Sequence, residues 1–358
     1  MRLALAGLAT AGLILTACNT QPVTSPTTAA APDPTTTLAS SSTSSTTLPV
    51  ARTTPTSTGS VSRINGMEVD DPTLLDRRIL AVKIDNHSRA RPQSGIQDAD
   101  MVIEMMVEGI TRFITIWHES DSDYLGPVRS GRPTDAALLQ ALNEPTFAIS
   151  GAQDWVYGLF TTRDIHLLGQ SHDGLFRISA RSAPHNLYAD TTRLRASAER
   201  LGYPDAGPAE PLWEFGPMSE YAPPATSVRI NFSSNIVNWL WDPGQRHWLR
   251  STWETPSMWR AQDGETGRIA VPVLVALYVD LYQATPSGPG SPVPASRTTG
   301  TGKAFVFADG RVVEGTWTRP SESDWFLLTD GDGELLYVPP GKVWVSLVPS
   351  STGLSYSD

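Results

Sequence analysis

Three apolar runs lying close together limit what this chain can fold into. Residues 79–84 (ILAVKI), 101–107 (MVIEMMV) and 113–117 (FITIW) have the length and β-branched content of strands. At or just beyond each run sits a polar cluster: Asp85-Asn86-His87, then Glu104 and Glu108, then Arg129-Ser130-Gly131-Arg132. The ends of buried strands are where α/β proteins place ligands. The same residue types also make turns and loop ion pairs, so both readings stand at this level.

The chain has 358 residues, enough for two domains. Residues 1–17 carry one cation, Arg2, and an apolar segment over 3–15 that is too short to span a bilayer. This leader ends in Leu15-Thr16-Ala17-Cys18, which resembles the bacterial lipobox, where small residues precede a cysteine that becomes acylated. Cys18 is the single cysteine, so no disulfide can form within one molecule and thiol catalysis is excluded. Acyl chains on Cys18 would anchor the protein, each buried CH₂ contributing about 0.8 kcal/mol. The expected location is the extracytoplasmic face of the cell membrane.

Residues 18–60 are mostly Thr, Ser and Pro with almost no charge. Such a stretch cannot bury enough surface to offset its conformational entropy, and is expected to be a disordered tether. As a flexible coil it reaches about 35 Å. The net charge of −10, which falls by one more unit when Arg2 leaves with the leader, argues against nucleic acid as a partner. An anionic ligand would need a local cluster of arginines.

From 61 to 205 strands and helices alternate. A short helical turn is expected after Ser94, and a hairpin around Glu108-Gly109. Helices are expected from Pro133, over 154–160, and over 193–201 with Asp190 or Thr191 as cap. From 206 to 349 the pattern becomes mainly β, with short strands at 228–232, 236–241, 271–282, 304–307, 312–317, 325–328, 335–338 and 343–348. Asp309-Gly310 is a hairpin signal. Residues 285–302 read as one long Pro/Gly/Ser loop, and 350–358 as a tail. The fold class is therefore α+β: a mixed α/β N-terminal domain followed by a mainly β C-terminal domain.

Several motifs, in order and at sensible spacing, carry a resemblance. They are Ile84-Asp85-Asn86-His87, Ala90-Arg91-Pro92-Gln93-Ser94-Gly95, Ala99-Asp100, Val107-Glu108-Gly109-Ile110-Thr111-Arg112-Phe113, Gly126-Pro127-Val128-Arg129-Ser130 and Ala183-Pro184-His185-Asn186-Leu187-Tyr188. With Gly315-Thr316-Trp317, Pro340-Gly341 and Trp344 they resemble the YerB-like family of bacterial lipoproteins. That resemblance implies a lipobox followed by an N-terminal and a C-terminal domain, both of unknown function. The chain departs from the pattern at Gly109, where a glycine pair is expected. It departs also at Gly131 and Thr134, where alanine and an aromatic are expected, and over 254–268, which lacks an expected histidine. The family supplies no catalytic residues to carry over.

The strongest chemical pattern is Arg112, Arg129 and Arg132. Arginine offers a planar fork of donors to carboxylate or phosphate and keeps its charge when desolvated. Ser130 and Gly131 would let backbone N–H groups approach the same anion as a nest. The competing reading pairs these arginines internally with Glu104, Glu108 or Asp135. His185-Asn186 is the second candidate: His185 can act as a base oriented by Asp85 or Glu108, or simply bond a carbonyl in a turn.

The six histidines lack metal-ligand spacing, and Asp330-Gly331-Asp332-Gly333-Glu334 reads as a hairpin turn rather than a calcium loop. No metal or cofactor is expected. Most of the C-terminal tryptophans are expected in the core, with Trp253 and Trp259 the ones exposed. The candidate ligand-binding residues are thus Asp85, Asn86, His87, Arg91, Glu108, Arg112, Arg129, Ser130, Arg132, His185 and Asn186. No catalytic residue is assigned. The expectation is a lipid-anchored envelope protein that binds a cell-wall glycan, another anionic ligand or an envelope protein. The alternative is a hydrolase or transferase acting on wall polymers, with an arginine clamp and His185.

Overall fold

The three apolar runs lie at the middle of a ten-stranded mixed sheet. In a computed structural model, which describes residues 60–358, they form β1 (Leu80–Ile84), β2 (Met101–Val107) and β3 (Ile110–Trp117). The leader, Cys18 and all but the last residue of the Thr/Ser/Pro stretch lie outside the described residues. Strands β2 and β3 pair antiparallel around Glu108-Gly109, with Val107 opposite Ile110. Gly109 takes φ 81°, a conformation that disfavours any residue with a Cβ. Strand β1 lies antiparallel to β3, and β4 (Thr146–Ala148) and β5 (His166–Leu168) continue parallel to β1.

On the other side, β2 pairs in parallel with strand Val343–Pro349, and the sheet continues through Val273–Val279, Gly300–Ala308, Arg311–Arg319 and Leu327–Thr329. The segments expected as separate domains therefore share one sheet.

The strands read as solid apolar runs because both faces are covered. On one face Ala81, Ile103 and Ile114 pack with α1 (Pro133–Leu139) and α2 (Asp154–Thr161) through Ala136, Leu139, Val156 and Phe160. On the other, Val82, Phe113 and Trp344 meet a second sheet through Val228, Ile230, Val237, Trp239 and Trp248. Helix α3 (Thr191–Arg200) adds Leu194 and Ala198 to this second face, and its cap is Asp190, which accepts from the Arg193 N–H at 3.0 Å.

Some local expectations need correction. The run 271–282 breaks at Pro272, which has no N–H for a ladder, and again at Asp280, giving Val273–Val279 and then Leu281–Ala284. Leu281–Ala284 pairs with Val293–Ser296, so 285–302 is not one loop. Residues Leu354–Ser357 pair with Ser227–Asn231 in the second sheet rather than trailing off as a tail. The short helical turn expected after Ser94 is present as a 3-10 turn over Ile96–Asp98, but its cap is Gly95, in the left-handed region at φ 74°, and not Ser94.

Other expectations match. Asp309 and Gly310 take φ 51° and 68°, as a two-residue hairpin turn requires. Asp330 Oδ1 accepts from the backbone N–H groups of Asp332 and Glu334, so that carboxylate serves its own turn. Trp239, Trp248, Trp317 and Trp344 are buried and Trp253 is 51% exposed, whereas Trp259, also expected to be exposed, is half-buried against the core. Among the described residues no helix is long and apolar enough to cross a membrane.

Candidate functional site

Strand β1 stops at Ile84, and the next residue becomes the centre of the site. Asp85 is fully buried, and its N–H donates to the carbonyl of Pro127 at 2.9 Å. Its Oδ2 accepts from His185 Nδ1 at 2.7 Å and lies 3.0 Å from Arg129 Nε. The Arg129 contact is an ion pair without hydrogen-bond alignment. Asp85 Oδ1 accepts from the N–H of His87 at 3.0 Å. One carboxylate thus ties together the end of β1, the segment carrying Arg129 and the loop carrying His185.

His87, two residues on, lies beside the partners of Asp85. Its ring stacks on that of His185, with centroids 4.9 Å apart and planes at 16°. A carboxylate is an acceptor, so the proton of the Asp85–His185 bond sits on Nδ1. His185 Nε2 has no bonding partner among the described residues; it donates to an anion when the ring is an imidazolium and accepts a proton when the ring is neutral. The Arg129 side chain is 22% exposed, held at one end by Asp85 while its backbone N–H donates to the Lys83 carbonyl at 2.8 Å. Its two terminal nitrogens have no hydrogen-bond partner among the described residues.

The other arginines are occupied. Arg132 gives a two-point contact to Glu108, with Nε to Oε1 at 2.8 Å and a terminal nitrogen to Oε2 at 2.7 Å. Arg112 is buried, donates to the Ser130 carbonyl at 3.3 Å and lies 3.6 Å from Glu108. Burial, and then the nearby Arg132 charge, push its guanidinium down to about 10. Burial disfavours the Glu108 carboxylate, but its bond to Arg132 and the surrounding arginines outweigh this and hold it below the ordinary glutamate value. Arg132 thus makes an internal ion pair with Glu108, and Arg129 makes one with Asp85 through Nε while its terminal nitrogens have no hydrogen-bond partner among the described residues.

The expected backbone nest at Ser130 and Gly131 is not formed at Gly131. Its N–H donates to the Gly151 carbonyl at 2.9 Å. A Cβ there would lie 2.9 Å from the Phe160 ring, which accounts for the glycine at this position. The Ser130 hydroxyl faces that of Ser150 at 3.2 Å. Asn186 is turned away from Asp85: it accepts from Arg177 and donates to the Ile178 carbonyl.

Asn86 and Arg91 form a second knot beside the first. Asn86 Oδ1 accepts from Arg91 Nε and Gln93 Nε2, both at 3.0 Å, while its amide donates to Thr111 at 2.7 Å. Thr111 donates to Glu104, which also receives Arg250 at 2.7 Å and the Trp344 indole at 3.2 Å. Sequence reasoning assigned Glu104 to a nearby arginine and left Arg250 unremarked, since a contact spanning 146 residues leaves no local pattern. Lys83, which donates to Asp135 at 2.6 Å with both side chains fully buried, was equally invisible inside an apolar run.

Comparison with known proteins places this architecture. The family model described as protein of unknown function (DUF3048), N-terminal domain, matches residues 64–204, and its C-terminal counterpart matches 228–345. YerB of Bacillus subtilis (strain 168), whose name classes it provisionally as a lipoprotein, is 28% identical over 296 residues, covering 79% of this chain and 85% of the relative. The crystal structure of Bacillus subtilis YerB matches with a TM-score of 0.71 at 24% identity, over 83% of this chain and 99% of that one, a likeness of fold. With both family models falling in order over most of its length, the chain belongs to the YerB-like family of lipoproteins, whose two domains are of unknown function.

Proposed function

We propose that this protein is a membrane-anchored, extracytoplasmic binding protein that captures an anionic group of a wall-derived ligand with Arg129 and His185. The observation that carries this reading is the shared Asp85 oxygen. It orients both side chains while leaving the Arg129 terminal nitrogens and His185 Nε2 without partners among the described residues. A guanidinium anchored at Nε keeps its remaining donors fixed, so less freedom is lost on binding a phosphate or carboxylate. A chain of net charge −10 repels polyanions on average, so capture depends on this local pair.

The test is the melting temperature of the parent, Arg129→Lys and Arg132→Lys, each with and without wall fragments bearing phosphate or carboxylate. The parent rises with ligand by mass action. Arg129→Lys keeps its melting temperature and loses the rise, because charge remains but the fork is gone. Arg132→Lys, deprived of its two-point bond to Glu108, melts lower and keeps the rise. An equal ligand response in all three removes Arg129 from the site.

The Asp85–His185 bond also favours a second reading, hydrolysis of the captured group. His185 Nε2 would take a proton from water, whose oxygen attacks the phosphorus or carbonyl carbon, and the departing oxygen would leave with that proton. Turnover of wall polymer by the parent, and none by His185→Gln even at ligand concentrations that saturate the variant, separates catalysis from capture.

A further inference from the structure

A cavity of about 220 Å³ opens where the two family segments meet, and it shares no residue with the Arg129–His185 pair. One wall is the loop after β1, with Asn86, Arg91 and Gln93, and the other is Arg250, Thr252 and Ser257 from the second sheet. The walls are tied by backbone, since the Arg260 N–H donates to the Gln93 carbonyl at 2.8 Å. Among the described residues no carboxylate lines the cavity.

Arg250 is 1% exposed and stacked among Phe113, Trp239 and Trp344, and its charge is balanced from behind by Glu104. It donates to Thr252 at 3.0 Å and Ser257 at 2.7 Å, yet its buried Nε has no partner. Arg91 bonds only the Asn86 side chain and carbonyl, both neutral. Burial, and then the Arg250 charge, lower the Arg91 guanidinium below its ordinary value. Arg250 is paired with Glu104, while Arg91 hydrogen-bonds no carboxylate among the described residues and feels Glu104 and Asp85 only at a distance, so a bound oxyanion would supply the direct partner that Arg91 lacks.

We infer that this seam cavity binds a small hydroxylated oxyanion, a phosphate ester or a sugar acid. The anion pairs with Arg91 beside Arg250, and the ligand hydroxyls meet Thr252, Ser257 and the Gln93 side-chain oxygen, the Gln93 Nε2 hydrogens being donated to Asp85 and Asn86. The volume is below the roughly 300–1,000 Å³ of ordinary ligand pockets, so the occupant is a single small unit and not a stretch of polymer.

Calorimetric titration of the full chain with glycerol 1-phosphate and with glucuronate, against glycerol and glucose, tests this. Saturable binding of at least one anion and none of the neutral compounds is expected, and the anion that binds tells phosphate ester from sugar acid. Arg91→Gln weakens binding roughly ten- to a hundredfold, the value of a charged hydrogen bond. Met258→Trp, which narrows the mouth without removing a polar partner, also weakens it, and Arg129→Gln leaves it unchanged. Binding of neither anion, equal binding of glycerol or glucose, or a loss in Arg129→Gln with Arg91→Gln unaffected overturns the assignment.

Discussion

Buried charges need partners, and two carboxylates near β1 meet that need in different ways. Asp85 spends one oxygen on an imidazole and a guanidinium that both reach the site. Asp135 is spent on structure: Oδ1 accepts from Lys83 at 2.6 Å, and Oδ2 accepts from the Arg132 N–H at 2.7 Å at the start of α1. Complete burial pulls the Lys83 ammonium from 10.5 to about 8, although Asp135 opposes the shift. A lysine with a depressed folded value binds fewer protons than the unfolded chain between those two values. Its contribution to stability is therefore present above about pH 10.5 and lost as the pH falls through about 8. Lys83→Met lacks that dependence and leaves Asp135 buried without a cation, at a cost on the order of 3–5 kcal/mol near pH 7. Lys83→Met combined with Asp135→Asn recovers most of the loss. Denaturant melts of the three proteins at pH 7 and pH 9.5 read both effects, and equal stability of Lys83→Met and parent at pH 7 would contradict them.

Among the elements, those with a strong local pattern were legible. The runs that became β1, β2 and β3 are dense in Ile, Val and Met, and the turn between β2 and β3 carries its own glycine. Asp309-Gly310 and the Asp190 cap were readable for the same reason. Sheet order was not. Strand Val343–Pro349 lies between β2 and Val273–Val279, and nothing within any of the three announces which neighbour it takes. The break in 271–282 was misread because its apolar residues continue past Pro272, whose missing N–H outweighs the pattern. In the site, sequence named Asp85, His185 and Arg129 but not their meeting at one oxygen, since residue type reveals chemistry while a contact across 100 residues depends on the fold. Arg132 had two plausible roles, and only the placement of Glu108 decides between them.

For the molecule as a whole, the shared sheet joins both family segments, and the Glu104–Arg250 pair lies buried between that sheet and the second one. Anchoring is a separate proposal that rests on Cys18 and the lipobox-like residues before it. Fractionation of cells expressing Cys18→Ala is expected to show release from the membrane, because on that proposal acyl chains supply the attachment; a variant that stays fully bound after leader cleavage contradicts this. The claim at the centre of the account is that Arg129 and His185 together meet an anion. Its most direct measurement is nitrogen NMR of the His185 ring in the full chain, titrated with inorganic phosphate. A saturable shift at Nε2 in the parent, absent in Arg129→Gln, is the predicted result. A ring that does not respond in the parent, or responds equally in Arg129→Gln, would contradict it.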